Sequence, residues 1–172
     1  MRHDQIRNAI ARLMTKAGCK SVEIEQQLLP VEGELDGIKG VEKGDEARMD
    51  VTAVGFWGAC QRAFFDIRVC DPFAPSYSQK PIPSLLKSQE KEKKKKYNKR
   101  ILEIEKSTFT PLVFTVTGGC GKECDLVLKK LATMISSKTG STQSSVMHCI
   151  RTELSFTLLR TCIISLRGWR RR

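Results

Sequence analysis

The sequence contains no continuous apolar run of the roughly 20 residues that a membrane-spanning helix needs. The best candidate, residues 154–166, is short and is interrupted by Arg160. No apolar signal region follows the first residues, Met1-Arg2-His3-Asp4. The seven cysteines are odd in number and are scattered through apolar segments, which argues against a secreted disulfide scaffold. These absences predict an intracellular protein with no membrane partner, and the nucleus is one of the compartments that fit.

The composition predicts one basic domain. The 172 residues include 30 Lys and Arg against 19 Asp and Glu, a formal net charge of +11. Apolar residues make up 40%, so the chain can form a core, and its length predicts a single domain over residues 1–172. Glycines and acids predict an exposed loop over 30–46, and arginines predict a basic tail over 167–172. The basic excess predicts a polyanionic partner, most often nucleic acid.

The hydrophobic periodicity predicts an α/β fold in which helices flank a small mixed central sheet. The last helix is apolar on most sides, so we expect it to be largely buried. The run over 111–117 is typical of a central strand that is buried on both faces. The predicted elements are a helix over 4–17, a strand over 22–25, strands over 48–56 and 62–70, a basic helix over 84–106, a strand over 111–117, and helices over 122–137 and 144–166.

The two middle strands carry the residues that predict chemistry. They form a hairpin whose turn centres on Gly58 or Ala59. Side chains alternate along a strand, so Asp66 and Arg68 share a face, and Asp50 falls within one cross-strand or diagonal step of Asp66. Two carboxylates this close favour a hard divalent cation such as Mg²⁺ between them. With Arg68 facing a phosphate, the group is typical of metal-assisted phosphodiester hydrolysis.

A purely structural interpretation accounts for the same residues. In it, Asp50 and Arg68 form a cross-strand ion pair and Asp66 caps a neighbouring backbone group. Against it, the acids interrupt the otherwise apolar run of residues 64–67, where a charge is costly without a partner. The residues alone leave both interpretations open.

Two strings of this hairpin resemble the signature of a known nuclease superfamily. Residues 48–51 (RMDV) and 64–69 (FFDIRV) are similar to the motif of the PD-(D/E)XK, or restriction-endonuclease-like, nucleases. In that superfamily an Asp, and a second acid two positions before a Lys, lie on a hairpin within an αβββαβ core. Residues 48–75, 107–119 and 154–160 also resemble uncharacterised marine-invertebrate proteins, found alone or at the C-terminal end of mobile-element reverse-transcriptase polyproteins.

The resemblance implies a role for each residue of the motif. Asp50 and Asp66 would bind Mg²⁺ or Mn²⁺, the Ile67 carbonyl would be a third ligand, and Arg68 would replace the motif lysine. Because a guanidinium does not readily lose a proton, Arg68 can orient water or steady a phosphate but cannot act as a base. Many members also supply an acid from the first helix, and the candidates here are Asp4 and, on the first strand, Glu25.

The basic helix follows the hairpin and lies near the cleft in this type of core, which predicts contacts with a DNA backbone. A solvated helix face explains the same charge run equally well. The expected function is metal-dependent hydrolysis of DNA phosphodiester bonds by a domain of mobile-element origin. Its alternatives are an inactive relative that binds nucleic acid and a basic interaction domain with no nucleic-acid role. The predicted contacts are Lys91, Lys93, Lys94, Lys95, Lys96, Lys99 and Arg100.

Overall fold

The fold is that of a computed structural model, which describes residues 2–28, 48–77 and 79–169. The predicted α/β class and element order are confirmed. The predicted loop over 30–46 and the side chains of the tail over 167–172 lie outside the described residues. The elements are α1 Arg2–Ala17, β1 Lys20–Gln27, β2 Arg48–Val54, β3 Arg62–Cys70, α2 Ile82–Glu103, β4 Thr108–Thr115, α3 Lys122–Thr139 and α4 Gln143–Trp169.

The strands form one mixed sheet in the order β1-β2-β3-β4. The first three strands are antiparallel, and β4 runs parallel to β3. Val54 pairs with Arg62, so the β2–β3 hairpin centres on Gly58, one of the two predicted positions. β4 is buried along nearly its whole length, but it lies at the end of the strand order. The prediction that it is central was therefore wrong, although its burial was predicted correctly.

Helices cover both faces of the sheet. α1, α3 and α4 pack on one face over a core that includes Phe65 and Leu112. α2 covers the other face, where Tyr97 packs with Phe64 and Phe109. Successive side chains of β3 therefore point alternately to the two layers. This alternation directs the even-numbered residues of β3, including Asp66 and Arg68, toward α2.

α4 is not largely buried, which corrects the prediction made from its composition. One face packs into the core, while on the opposite face Phe156 is 66% exposed and Leu159 is 54% exposed. An apolar composition on all sides of a helix does not supply neighbours on all sides. Among the described helices, none has the length and apolarity needed to cross a membrane. The buried residues of α4 include Val146, Ile150, Leu154 and Leu158.

Candidate active site

The two predicted acids lie where β2 and β3 separate. The last described pair of this ladder is Val51 with Phe65, and Asp50 and Asp66 occupy the next position on each strand. Oδ2 of Asp50 accepts a 2.6 Å hydrogen bond from the backbone N–H of Ile67. The Asp50 carboxylate therefore contacts the peptide that follows Asp66. We call this group of Asp50, Asp66 and Ile67 the fork.

The side-chain alternation of β2 is interrupted at Asp50. Met49 packs with residues of the α2 layer, whereas Val51 packs in the core beneath α1. Regular alternation would place both residues on the same face, as the sequence prediction assumed. That assumption was wrong at Asp50, the level at which the pairing of β2 with β3 also ends. Asp50 can consequently reach the first turn of α1.

His3, on the first turn of α1, is the contact that Asp50 makes there. Its Nε2 donates a hydrogen bond of 2.9 Å to Oδ2 of Asp50, and its Nδ1 lies 3.5 Å from Oδ1 of Asp4. The hydrogen bond to Asp50 raises the pKa of His3, although partial burial of the ring opposes this. Sequence reasoning missed His3, because a separation of 47 positions from Asp50 carries no spacing signal.

Asp66 pairs with Lys93, which α2 brings over the sheet. Asp66 is only 5% exposed, and Nζ of Lys93 lies 2.7 Å from its Oδ2. Oδ2 is buried and makes no aligned hydrogen bond within the described residues, so its contact with Lys93 is one of charge. Burial raises the pKa of Asp66, Lys93 opposes that rise and the nearby Asp50 adds to it. Asp66 therefore depends on Lys93 for its countercharge.

The helical periodicity contains a signal for this role of Lys93, which differs from the phosphate contact that the sequence analysis predicts for it. Tyr97 is buried on the sheet-facing side of α2. Lys93 is four residues before Tyr97, so the two share a face. This spacing places Lys93 at the edge of the buried face of α2.

Arg68 points toward the outer part of α2 and not toward Asp50. Its guanidinium donates to Oε1 of Glu92 at 2.9 Å. The alternative interpretation, an Asp50–Arg68 ion pair with Asp66 capping the backbone, is therefore wrong. The acid that accepts from a backbone group is Asp50, and the cation beside Asp66 is Lys93.

The two additional acids that the sequence suggested are both contacted by Arg7. This arginine on α1 lies 3.6 Å from Oδ1 of Asp4 and also forms an ion pair with Glu25 on β1. About half of each acidic side chain is exposed. The structure therefore places Asp4 and Glu25 with an arginine at the surface, and Asp4 is connected to the fork through His3.

Several of the predicted phosphate-binding residues have partners within the protein. Besides Lys93, Lys94 forms a 2.6 Å contact with Glu123 at the start of α3. Lys96 lies over the ring of Tyr97, 4.9 Å from its centre. Lys93 and Lys94 join α2 to β3 and α3, and Lys96 contacts its own helix, which leaves a smaller set for a ligand.

That smaller set is a row of exposed lysines on the outer surface of α2. Lys91, Lys95 and Lys99 are exposed and four residues apart, so they lie along one face of the helix. None of them forms an ion pair with a described residue. Arg100 is half-buried and does have partners. We call Lys91, Lys95 and Lys99 the lysine stripe.

The fork has ligand atoms that suit a divalent cation. Asp50 and Asp66 supply carboxylate oxygens, which Mg²⁺ and Mn²⁺ prefer, and the buried Oδ2 of Asp66 has no aligned donor. In this structure the basic side chains beside the acids are His3 and Lys93. In the chain as described, no three His, Cys, Asp or Glu side chains lie close enough to hold one metal ion. A cation here would therefore need ligands beyond the two carboxylates, such as water, a phosphate or the Ile67 carbonyl.

The fork offers two carboxylates to a cation, and the lysine stripe, on the side of α2 away from Lys93, offers positive charge to a polyanion. The acids are at the separation of β2 and β3, and α2 supplies both the buried lysine and the exposed ones. No protein-family model matches the chain, and no curated protein matches it.

Proposed function

We propose that this protein is a metal-dependent nuclease domain that hydrolyses DNA phosphodiester bonds at the fork. The observation that carries the proposal is the buried Asp66 carboxylate, which lies beside a second acid, Asp50, and a lysine ammonium. Buried charges contribute little net stability, and apolar residues of similar volume often serve a core as well. Charged groups kept together in an otherwise apolar layer support a role in chemistry.

Each residue of the fork has a task in this proposal. Asp50 and Asp66 would hold Mg²⁺ or Mn²⁺, which when bound supplies a Lewis acid and a nucleophilic water at neutral pH. The backbone N–H of Ile67 fixes the Asp50 carboxylate. Lys93, next to Asp66, would steady the negative charge of the phosphate. Arg68 occupies the sequence position of the motif lysine. Lys93, however, is the basic residue that contacts Asp66 and so lies where it can face the phosphate.

The lysine stripe supports DNA as the substrate. Its three side chains extend along about 12 Å of the helix that also carries Lys93. Exposed lysines that form no ion pair with a described residue can neutralise backbone phosphates along the outer face of α2, and so hold a strand against the helix that carries Lys93. The resemblance of residues 48–75 to mobile-element proteins supports an origin in such an element, and a DNA substrate would place the activity in the nucleus.

Plasmid cleavage tests the proposal. Metal-free protein should leave supercoiled plasmid intact, and added Mg²⁺ or Mn²⁺ should convert it to nicked and linear forms. Asp50→Asn and Asp66→Asn should each abolish cutting while the far-ultraviolet circular dichroism stays unchanged. Asp125→Asn is the matched control, because Asp125 forms ion pairs at the surface of α3, and it should cut normally. Folded wild-type protein that never cuts with either metal would refute the proposal.

An inactive nucleic-acid-binding relative is the second candidate. The observation that favours it is that both acids already have basic partners, His3 for Asp50 and Lys93 for Asp66. It predicts salt-dependent retention of DNA without cutting, and retention that Asp66→Asn does not change. Failure to retain DNA at low salt would instead favour a basic interaction domain with no nucleic-acid role.

A further inference from the structure

The face of α4 opposite the core carries a regular apolar stripe. Phe156, Leu159 and Ile163 are exposed at 66%, 54% and 41%. Cys149, which is exposed, and Thr152, which is half-buried, extend the row toward the start of the helix. The intervals are three, four, three and four residues, the spacing of side chains that form the seam between paired helices. We call these five residues the outer stripe.

An open groove runs beside the outer stripe. It has a volume of about 800 Å³ and lies between α1 and α4. α1 contributes Gln5 and Arg12 to its lining, and α4 contributes Glu153 and Ile164. The groove and the stripe together form a continuous surface on which another helix can lie. Large exposed apolar surfaces of this kind mark interaction sites.

We propose that the outer stripe is a homodimer interface in which α4 packs antiparallel against α4 of a second copy. The charges beside the stripe carry this assignment. Glu153 and Arg160 are seven residues apart on the same flank. An antiparallel pair brings identical flanks together with reversed direction. Glu153 then lies beside the partner's Arg160, and Arg160 beside the partner's Glu153.

The same charges select one register and one orientation. In the register that pairs Glu153 with the partner's Arg160, Phe156 packs against the partner's Leu159, and Thr152 against the partner's Ile163. A shift by one heptad would place the two Glu153 side chains together, which is repulsive. A parallel pair would bring each flank against the opposite one, so that Glu153 would face the partner's His148 and Arg160 would face the partner's Ser155, which leaves Arg160 without a countercharge.

Analytical ultracentrifugation of the full chain tests the interface directly. Wild-type protein should sediment with twice the monomer mass at about 100 µM, while Phe156→Asp and Leu159→Asp should sediment as monomers. Both side chains are exposed, so neither change disturbs the core. Leu126→Asp is the matched control, since Leu126 is 56% exposed on α3, and it should stay dimeric. A monomeric wild type at that concentration overturns the proposal, and so does a dimer that both stripe variants leave intact.

A charge exchange tests the register. Glu153→Arg and Arg160→Glu should each raise the dimer dissociation constant about tenfold, because each creates two like-charge contacts. Their combination should restore the wild-type value to within about threefold. Glu153 also contacts Arg12 of its own chain at 3.2 Å, and the combined variant loses that contact without regaining it. A combined variant no better than the single ones contradicts the antiparallel pairing.

Crosslinking with a short bis-maleimide tests the orientation. Residue 159 lies near the two-fold axis of the proposed dimer, so Leu159→Cys should form a crosslink between the two introduced cysteines. The native Cys149 side chains would be about 25 Å apart along the helix axes and should not crosslink to each other. In a parallel pair the Cys149 side chains would be neighbours. Peptide mapping that finds a Cys149–Cys149 crosslink overturns the antiparallel assignment.

Discussion

Replacing Lys93 with Met should destabilise the metal-free protein by about 3 kcal/mol at neutral pH. The change leaves Asp66 as a buried carboxylate without its countercharge. The side chains of Asp66 and Lys93 are 7% and 20% exposed, so water can replace little of the lost interaction. Removing one member of a buried pair costs about 3 to 5 kcal/mol, and the partial exposure of Lys93 favours the lower end.

Lys94→Met is the matched control for this experiment. Lys94 is the next residue on α2 and forms an ion pair of similar length, 2.6 Å, with Glu123. This pair is about one-third exposed on each side, so water screens it. Exposed pairs contribute about 0 to 1 kcal/mol, and Lys94→Met should therefore cost less than about 1 kcal/mol. Urea unfolding followed by circular dichroism, with a chelator present, measures the free energy of unfolding of both variants.

The pH dependence of the stability deficit in Lys93→Met provides a second test of the Asp66–Lys93 pair. Burial raises the pKa of Asp66 above its ordinary value, and loss of Lys93 should raise that pKa further. A carboxyl whose pKa is higher in the folded than in the unfolded protein destabilises the fold above its folded pKa. The penalty fades as the pH falls through that pKa toward the unfolded value. The deficit of Lys93→Met should therefore shrink between neutral pH and about pH 5.

The double variant Asp66→Asn with Lys93→Met tests whether the stability lost in Lys93→Met comes from the unpaired charge of Asp66. Because both charges are removed, most of the stability lost in Lys93→Met should return. If Lys93→Met proves no more destabilising than Lys94→Met at neutral pH, then Asp66 does not depend on a buried countercharge. The same result would remove the main support for a functional fork.

Three further predictions concern stabilisation by Mg²⁺, the lysine stripe and Gly121. Lys93→Met should increase the thermal stabilisation by Mg²⁺, since the ammonium no longer competes for the acids, and Asp50→Asn should abolish that stabilisation. Replacing the whole lysine stripe with alanine should lower the logarithmic salt dependence of DNA retention by about 2.7, measured by filter binding. Gly121→Ala should cost about 1 to 2 kcal/mol in urea unfolding, because its Cβ would meet the buried Glu90 carboxylate, whereas Gly58→Ala meets only ordinary contacts.

The fold was predictable because its signals are local. α1 and α3 follow from apolar residues at helical spacing, and β3 from β-branched and aromatic residues between turn signals. The proximity of Asp50 and Asp66 was predictable for the same reason, since the short turn around Gly58 fixes the register of the hairpin. The break in alternation at Asp50 was not predictable, because the spacing of apolar residues in β2 does not display it.

The partners of the acids could not be predicted in the same way. His3 and Lys93 reach the fork because α1 and α2 cross opposite faces of the sheet at particular angles. Those angles are set by the packing of side chains from several elements, which a single sequence does not display. The exposed face of α4 was missed because composition reports hydrophobicity but not the number of available neighbours. An apolar face without a neighbour in its own chain supports a partner from another chain.

The proposed dimer surface lies on the α4 side of the sheet, whereas Lys93 and the lysine stripe lie on the α2 side, which separates dimerisation from DNA binding. α4 packs in the layer with α1 and α3, whereas α2, with the lysine stripe, covers the other face. Each copy should therefore bind DNA and cut it without help from the other. Phe156→Asp should keep metal-dependent nicking per chain, while its affinity for long DNA falls about 100-fold through lost bivalency. Equal affinity of dimer and monomer for long DNA would show that the two lysine stripes cannot contact one duplex together.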